Sequence, residues 1–362
     1  MNNKRIALLA TGDEIVNGDI LNTNGQAMAA QLFGQGIEIG MHLIVSDQQA
    51  EIENAIHYLL ATHDALIITG GLGPTSDDRT RFALAQAVKR KLVFDQPTWE
   101  KIQILFSKYT LVSQPKSNEN QAMFPEDASV IPNDVGSAAG CWLNFHGKLI
   151  FMLPGPPSEC LPMFQDTVMP KLLDSQFSHP FIHRKWLLFN VSEGEIADKL
   201  DRLAEPFDLV TGYRVNYPYV EFKIHSENQE AISGFLDAAD ELIQANLINR
   251  TSIPASQVLI QRLEKARCTI HLKDEATKGH LAKTLTTLNT HEKIVNTPDE
   301  TTQVFEITGM PEYWKGKERG GNSWLKLRYK ETEMKFEIPY RGERTILYAV
   351  EFLSREITKL LT

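Results

Sequence analysis

Residues 65–80, Ala65-Leu66-Ile67-Ile68-Thr69-Gly70-Gly71-Leu72-Gly73-Pro74-Thr75-Ser76-Asp77-Asp78-Arg79-Thr80, decide how the chain is read. The run Ala65–Thr69 is short, apolar and partly β-branched, which predicts a buried strand. A glycine-rich turn follows, and a helix is predicted over Asp77–Val88. Glycines let the backbone aim its N–H groups at one point and let an anion come close. The helix start adds donors and the positive end of a dipole. The plainer alternative is a strand-to-helix turn in which Ser76 or Asp77 merely caps.

Outward from this turn the same rhythm repeats. Arg5–Ala10 reads as a strand, Asn24–Gln35 as a helix, Glu38–Val45 as a strand, and a helix capped by Asp47 runs through Leu60. Short loops between alternating strands and helices predict an α/β fold with a doubly wound, mostly parallel sheet. Ala138–Asn144 and Lys148–Leu153 flank a Phe-His-Gly turn and predict a hairpin, and a helix after Pro157 ends near Pro170. The polar stretch Asp174–His179 then breaks the pattern. WLLFNVS, EIADKLDRL, VEFKIHS and AISGFLDAADELI give a small α+β unit. Beyond Pro254 a helix, alternating stretches such as WLKLRYK and MKFEIPY, and a closing amphipathic helix give a third segment. The expected domains are 1–172, 180–250 and 254–362. The closing helix, with Leu347, Val350, Phe352, Ile357 and Leu360, fits either a core or an oligomer interface, with a homo-oligomer such as a dimer as the expectation.

Composition narrows the function classes. The 362 residues carry a formal net charge of −9, which argues against a general nucleic-acid binder while leaving room for a small anion held by backbone amides. Cys141, Cys160 and Cys268 are an odd, widely spaced set that predicts reduced thiols in the cytoplasm. The apolar stretch Ile6–Ala10 is too short for a signal segment, and no run approaches the ~20 residues of a membrane span.

Three loops fall at the C-terminal ends of predicted strands, where open α/β sheets bind ligands. The first is Thr11-Gly12-Asp13-Glu14 and its continuation to Thr23-Asn24, the second the glycine turn, the third Leu153-Pro154-Gly155-Pro156-Pro157-Ser158-Glu159. In the first, Thr23 or Asn24 is a possible helix cap; in the third, Ser158. Amides of Gly70, Gly71, Gly73 and Thr75 are the expected phosphate donors. Asp77 and Asp78 would repel an anion beside them. A divalent cation such as Mg²⁺ resolves that conflict by bridging carboxylates and phosphate oxygens. Asp77 and Asp78 are thus candidate metal ligands and catalytic groups, with Asp13 or Glu14 as a further ligand or general base. A salt-bridge role for Glu14 is the alternative. Asn24, Asn118 and Gln121 are candidates for ribose or base contacts, Lys116 for a phosphate charge, and Thr11, Gly12, Pro74, Gly155 and Glu159 for the remaining lining.

The strings TGDEIVNGDILNTN, VSD at Val45–Asp47, TGGLGPTSDDRT, NENQAMFPEDASVIPNDVGSAAG at Asn118–Gly140 and LPGPPSE resemble, in order and spacing, the N-terminal domain of the CinA family. The resemblance implies a molybdopterin-binding fold, metal-dependent hydrolysis of ADP-ribose to AMP and ribose 5-phosphate, and a KH-type middle domain. Here that middle unit lacks the GxxG clamp on nucleic acid, with only Gly194 near the relevant turn. The ligand implied is a small phosphorylated nucleotide, with neither nucleic acid nor membrane as partner. Many members also carry a C-terminal domain that deamidates nicotinamide mononucleotide through an AESCTGG-like string. Here the corresponding residues read Thr269-Ile270-His271-Leu272-Lys273-Asp274-Glu275-Ala276-Thr277-Lys278-Gly279, without the serine or paired glycines, so an inactive remnant is expected. Thr277 is a hydroxyl that could in principle act as a nucleophile there, but it sits in a charged stretch with no evident activating base. Two other readings compete with hydrolysis: a non-catalytic nucleotide or molybdopterin binder, and an enzyme that adenylylates a pterin phosphate.

Overall fold

The computed structural model of the chain describes residues 4–109, 116–179, 181–189, 191–247, 253–266, 268–287, 293–315, 320–340 and 342–361. They form two compact units, Met1–Pro180 and Phe181–Thr362.

The first unit follows the alternation read from the sequence. Its elements are β1 (Ile6–Thr11), α1 (Asp13–Val16), α2 (Thr23–Gly34), β2 (Ile39–Val45), α3 (Gln49–Thr62), β3 (Ala65–Thr69), α4 (Thr80–Ala87), β4 (Leu92–Phe94), α5 (Gln96–Tyr109), a 3-10 turn (Lys116–Ala122), β5 (Met123–Pro125), β6 (Ser129–Ile131), β7 (Gly140–Phe145), β8 (Lys148–Leu153), α6 (Pro157–Met163) and α7 (Met169–Asp174). One sheet has the order β2-β1-β3-β8-β7-β6. Its β2, β1, β3 and β8 run parallel, while β6-β7-β8 is antiparallel. Every residue of β1 and β3 is buried, as expected when helices cover both faces of a parallel sheet. One face packs Ile56, Leu59, Leu84 and Val88, the other Met28, Leu32, Cys160 and Phe164.

Local boundaries differ from the sequence reading for identifiable reasons. The helix expected from Asp77 begins at Thr80, because Asp78 folds back onto the glycine turn instead of continuing the helix. Asp47 does not cap α3. The helix starts after Gln48 without a side-chain cap, and the Asp47 carboxylate accepts the Asp13 amide instead. The cap of α2 is Asn22, one residue before the expected pair, its side chain accepting from Gly25 N–H. Neither Ser76 nor Asp77 caps α4, and Pro156, not Ser158, precedes α6, whose first helical residue is Pro157. The hairpin starts at Gly140 rather than Ala138. The helix expected to stop near Pro170 continues through a π-helical turn, Phe164–Val168, into α7. Pro170, which has no N–H to give, follows directly on that π-helical turn, in the first turn of α7.

The second unit contains β9 (Ile182–Phe189), α8 (Glu193–Ala204), β10 (Val210–Asn216), β11 (Tyr219–Ser226), α9 (Gln229–Asn246), α10 (Ala255–Ala266), β12 (Ile270–Asp274), α11 (His280–Thr287), β13 (Gln303–Gly309), α12 (Pro311–Trp314), β14 (Gly321–Tyr329), β15 (Thr332–Tyr340) and α13 (Arg344–Leu360). Its sheets have the orders β10-β11-β9 and β12-β13-β14-β15. Gly194 lies within α8 and marks no clamp loop. Of the apolar residues on α13, Val350, Phe352 and Ile357 are buried within this unit, whereas Leu347 is exposed. Among the described residues no helix is long and apolar enough to cross a membrane.

A buried carboxylate fastens α10 and β11 to α13. Glu351, 5% exposed, accepts the Tyr219 hydroxyl at 2.5 Å, the Ser256 amide at 3.0 Å and the Ser256 hydroxyl at 2.7 Å. The Tyr219 oxygen in turn accepts the Ala255 amide at 2.9 Å, so one acid satisfies the start of α10. Burial and the Glu351 charge both raise the Tyr219 pKa. Replacing Glu351 by Ala strands three donors, so urea unfolding of this unit is expected to show a loss of about 3 kcal/mol. A loss under about 1 kcal/mol would show that the node is dispensable.

Candidate functional site

The strand ends β1, β3 and β8 open onto a cavity of about 560 Å³. It is lined by residues of all three loops singled out in the sequence: Thr11, Gly12, Glu14 and Asn24 from the first, Gly70, Gly71, Gly73, Pro74, Asp77 and Asp78 from the second, Gly155 and Glu159 from the third. Gln121 joins them. Asp13, Thr75 and Asn118 do not line it: Asp13 and Thr75 are exposed beside it and Asn118 is buried. The side chain of Lys116 lies outside the described residues.

The glycine turn is tied down by its own acid. Asp78 accepts the Gly73 amide at 2.8 Å, the Thr75 amide at 2.9 Å and the Thr75 hydroxyl. A Cβ on Gly73 would lie 2.5 Å from that carboxylate, so the clamp requires glycine there. The amide of Gly70 donates to Leu153 O at 3.1 Å. Three of the four expected phosphate donors therefore build the turn itself. Of that set Gly71 alone makes no amide hydrogen bond among the described residues, and the Leu72 amide beside it makes none either. Gly71 has φ +63 and the Thr80 hydroxyl where a Cβ would stand. Thr80 in turn meets Thr11 Oγ1 at 3.0 Å, locking the end of β1 to the start of α4.

Beneath the turn lies a cation that the sequence reading missed. Arg81 is 2% exposed. It donates to Leu72 O at 2.7 Å and to Ala139 O at 3.0 Å. Burial lowers its pKa to about 10, opposed by the Asp78 charge, and it stays positive at neutral pH. A signal was available: Arg81 shares its helix face with Leu84, Ala85 and Val88, a charge on an apolar stripe.

Acids gather at the other lip. Asp13 and Asp47 clasp one another's backbone, Asp13 N–H to Asp47 Oδ2 at 3.0 Å and Asp47 N–H to Asp13 Oδ1 at 3.3 Å. The Glu14 carboxylate curls over Gly12, 2.7 Å from where a Cβ would be. Asp47, not anticipated as a site residue, lines the cavity. Its pKa is raised, first by burial and also by the charges of Asp13, Glu14 and Asp77, against the lowering effect of the Asp13 amide. Asp77 is held below the ordinary carboxylate value by the nearby Thr75 hydroxyl, whose one proton it shares with Asp78, and by its own amide. Among the described residues no three His, Cys, Asp or Glu side chains form a ready cage for a metal ion.

The remaining wall mixes apolar residues, Ile15, Ile20 and Leu21 among them, with polar side chains that are partly unsatisfied. Asn24 donates to Gly155 O at 2.6 Å, leaving its Oδ1 buried without a partner. Gln121 donates to Leu72 O at 3.4 Å and Ser137 Oγ at 3.2 Å, leaving its Oε1 likewise. Glu159 accepts from Asn133 at 2.6 Å. In the second unit the string expected to be inactive is committed to structure. Thr277 is fully buried, donating to Asp274 and accepting the Leu281 amide. Trp314 donates to the Ala276 carbonyl at 2.7 Å while Lys278 lies 3.9 Å over its ring.

Fold and site together define an α/β protein with a molybdopterin-binding-type domain at its N-terminal end, and residues 7–174 match the family described as a probable molybdopterin binding domain. The chain is 34% identical over 292 residues to the CinA-like protein of Geobacter sulfurreducens, covering 78% of this chain and 70% of that one. It is 32% identical over 296 residues to the CinA-like protein of Desulforapulum autotrophicum, with 78% and 70% covered. The chain belongs to the CinA-like family. Among solved structures, the protein CinA from Thermoplasma acidophilum is 29% identical, with 47% of this chain and 98% of that chain covered at a TM-score of 0.43. The molybdopterin biosynthesis enzyme MoaB from Thermus thermophilus is 20% identical, with 47% and 91% covered at a TM-score of 0.32.

Asp47 gives the acidic lip a pH signature. A carboxyl raised in the folded state opposes folding fully above its folded pKa, and the opposition disappears as pH falls below the unfolded value of 3.8. Asp47→Asn keeps an acceptor for the Asp13 amide. It is expected to raise the Tm at neutral pH by an amount that shrinks as pH falls to about 4. A gain that does not change with pH would mean that the buried carboxylate charge is not its source.

Proposed function

We propose that the first unit hydrolyses the diphosphate of a nucleotide such as ADP-ribose, giving AMP and ribose 5-phosphate, with a divalent cation bound beside the glycine turn. The observation that carries this reading is the pairing of unengaged amides at Gly71 and Leu72 with a carboxylate lip in one cavity. Amides suit phosphate oxygens. The lip would repel them unless a cation intervenes.

The donor set fits a hard cation. Mg²⁺ is commonly held by one or two carboxylates, with water and substrate phosphate completing its shell, so a ready three-acid cage is unnecessary. Asp77 lines the cavity and would hold it, with Asp47 as the neighbour whose repulsion it relieves. Asp78, with both oxygens engaged in the turn, is assigned to shaping the site. When bound, the cation supplies charge neutralisation at the diphosphate. In the reaction a water oxygen adds to one phosphorus and the bridging P–O bond breaks. The water proton passes to a carboxylate, for which Glu14 is the candidate. Asn24 and Gln121 offer acceptors to hydroxyl or amine donors of the nucleotide. In the second unit, the buried and hydrogen-bonded Thr277 supports a non-catalytic reading of the deamidase-like segment.

Incubation of the full chain with ADP-ribose and Mg²⁺ is expected to release AMP, and chelation to abolish release. Asp77→Asn should lower kcat by about a hundredfold with nucleotide binding retained. Binding without any AMP would favour a non-catalytic nucleotide binder. Adenylylation of a pterin phosphate from ATP, with no AMP from ADP-ribose, would favour transfer chemistry instead. Ammonia released from nicotinamide mononucleotide would overturn the reading of the second unit.

A further inference from the structure

The Leu72–Gly73 peptide is held from both sides by opposite charges. Its carbonyl accepts the Arg81 guanidinium at 2.7 Å and Gln121 Nε2 at 3.4 Å. Its N–H donates to the Asp78 carboxylate at 2.8 Å. In a trans peptide the C=O and N–H point to opposite sides, so fixing one fixes the other. Asp78 lines the cavity and Arg81 lies buried beneath the turn. The amide edge of this peptide is thereby turned toward the cavity side and the carbonyl edge into the protein. A flipped peptide would present a carbonyl dipole to an anion and repel it.

The same guanidinium reaches a second wall. Its other nitrogen holds Ala139 O at 3.0 Å, next to Ser137 and Ala138, which line the cavity. One planar fork therefore sets both the peptide orientation and the join between turn and wall, a task a lysine ammonium does not reproduce.

We infer that Arg81 is a positioning residue of this site: by fixing the Leu72–Gly73 peptide, whose own amide goes to Asp78, it holds the turn in the shape that leaves the preceding Gly71 and Leu72 amides for an anionic diphosphate. The inference rests on the proposed diphosphate reading for its ligand, but the peptide orientation can be read separately.

The test compares the full chain with its Arg81→Lys and Arg81→Met variants. Inorganic pyrophosphate is titrated by calorimetry with Mg²⁺ present, and the Gly73 amide is followed by ¹⁵N NMR exchange protection. Arg81→Met is expected to weaken pyrophosphate binding by roughly tenfold or more in molecules that remain folded by circular dichroism. Arg81→Lys should weaken it less, because one donor to Leu72 O is kept. In both, Gly73 should lose amide protection while strand amides of β1 and β3 keep theirs. A merely structural role would lower all protection together and leave the affinity of the folded fraction unchanged. If Arg81→Met does not fold, Arg81→Lys carries both readouts. Wild-type affinity and unchanged Gly73 protection in the folded variants would overturn the inference. If the wild-type chain itself ignores pyrophosphate, the diphosphate reading fails, and the Gly73 amide alone decides whether Arg81 sets the turn.

Discussion

A turn that offers amides to an anion must dispose of its carbonyls, and that constraint governs the end of β3. Each peptide of Gly70–Thr75 carries an acceptor and, except at Pro74, a donor, and each of these needs a partner or a reason to lack one. The sheet takes the Gly70 amide through Leu153 O. Asp78 takes those of Gly73 and Thr75. Arg81 and Gln121 take the Leu72 carbonyl. What remains is a short stretch of amide at Gly71 and Leu72, in a cavity that also carries acids, side-chain amides and apolar residues such as Ile20 and Leu21. Donors left over after the fold has used the rest are the ones available to a ligand.

This accounting changes the meaning of the paired aspartates. In sequence Asp77 and Asp78 look equivalent, and charge repulsion assigns both to a cation. In the structure one closes the turn and the other stands at the cavity with a lowered pKa, held ionised. The acidic lip completes the picture from the opposite strand end. The Asp13–Asp47 clasp joins the start of α1 to the loop after β2 through two backbone hydrogen bonds. It also holds Asp47 half-buried and near Glu14 and Asp77, and burial first, then those charges, raise its pKa. Hydrogen bonds hold the acids in place while their charges repel, an arrangement that a counter-charge would relieve.

The fold was legible because the deciding signals are local. Apolar runs of strand length, ended by glycine and followed by helical spacing, place three loops at one sheet edge without any tertiary knowledge. Thirteen residues expected at the site do line one cavity. What the sequence hid is where a polar side chain spends its hydrogen bonds. Asp47 precedes a helix and reads as its cap, yet its carboxylate goes to Asp13 across the sheet edge. Asp77 reads as the opening of α4, yet Asp78 bends back and delays the helix to Thr80. Local competition between side chain and backbone is settled by partners distant in sequence, which spacing alone does not reveal. Arg81 was hidden for the related reason that a charge in a helix reads as surface until its carbonyl partners are placed.

The second unit makes the same point in reverse. Near Thr277 the sequence shows only missing residues, a loop without the serine and glycines that the resemblance would require. The structure gives that absence physical content. The hydroxyl that remains is fully buried and spends its hydrogen bonds on Asp274 and the Leu281 amide, and the Trp314 indole and Lys278 cover the turn. A nucleophile needs an exposed oxygen and a base to take its proton. Here the hydroxyl proton is already directed at Asp274 and the oxygen is shut away from solvent, so the turn works as a helix start. In the first unit a strand-end loop keeps free donors over a cavity, while in the second a strand-end loop has spent its donors on itself. That difference in hydrogen-bond accounting, more than the loss of any one residue, supports the proposal that the first loop receives a ligand and the second connects two elements.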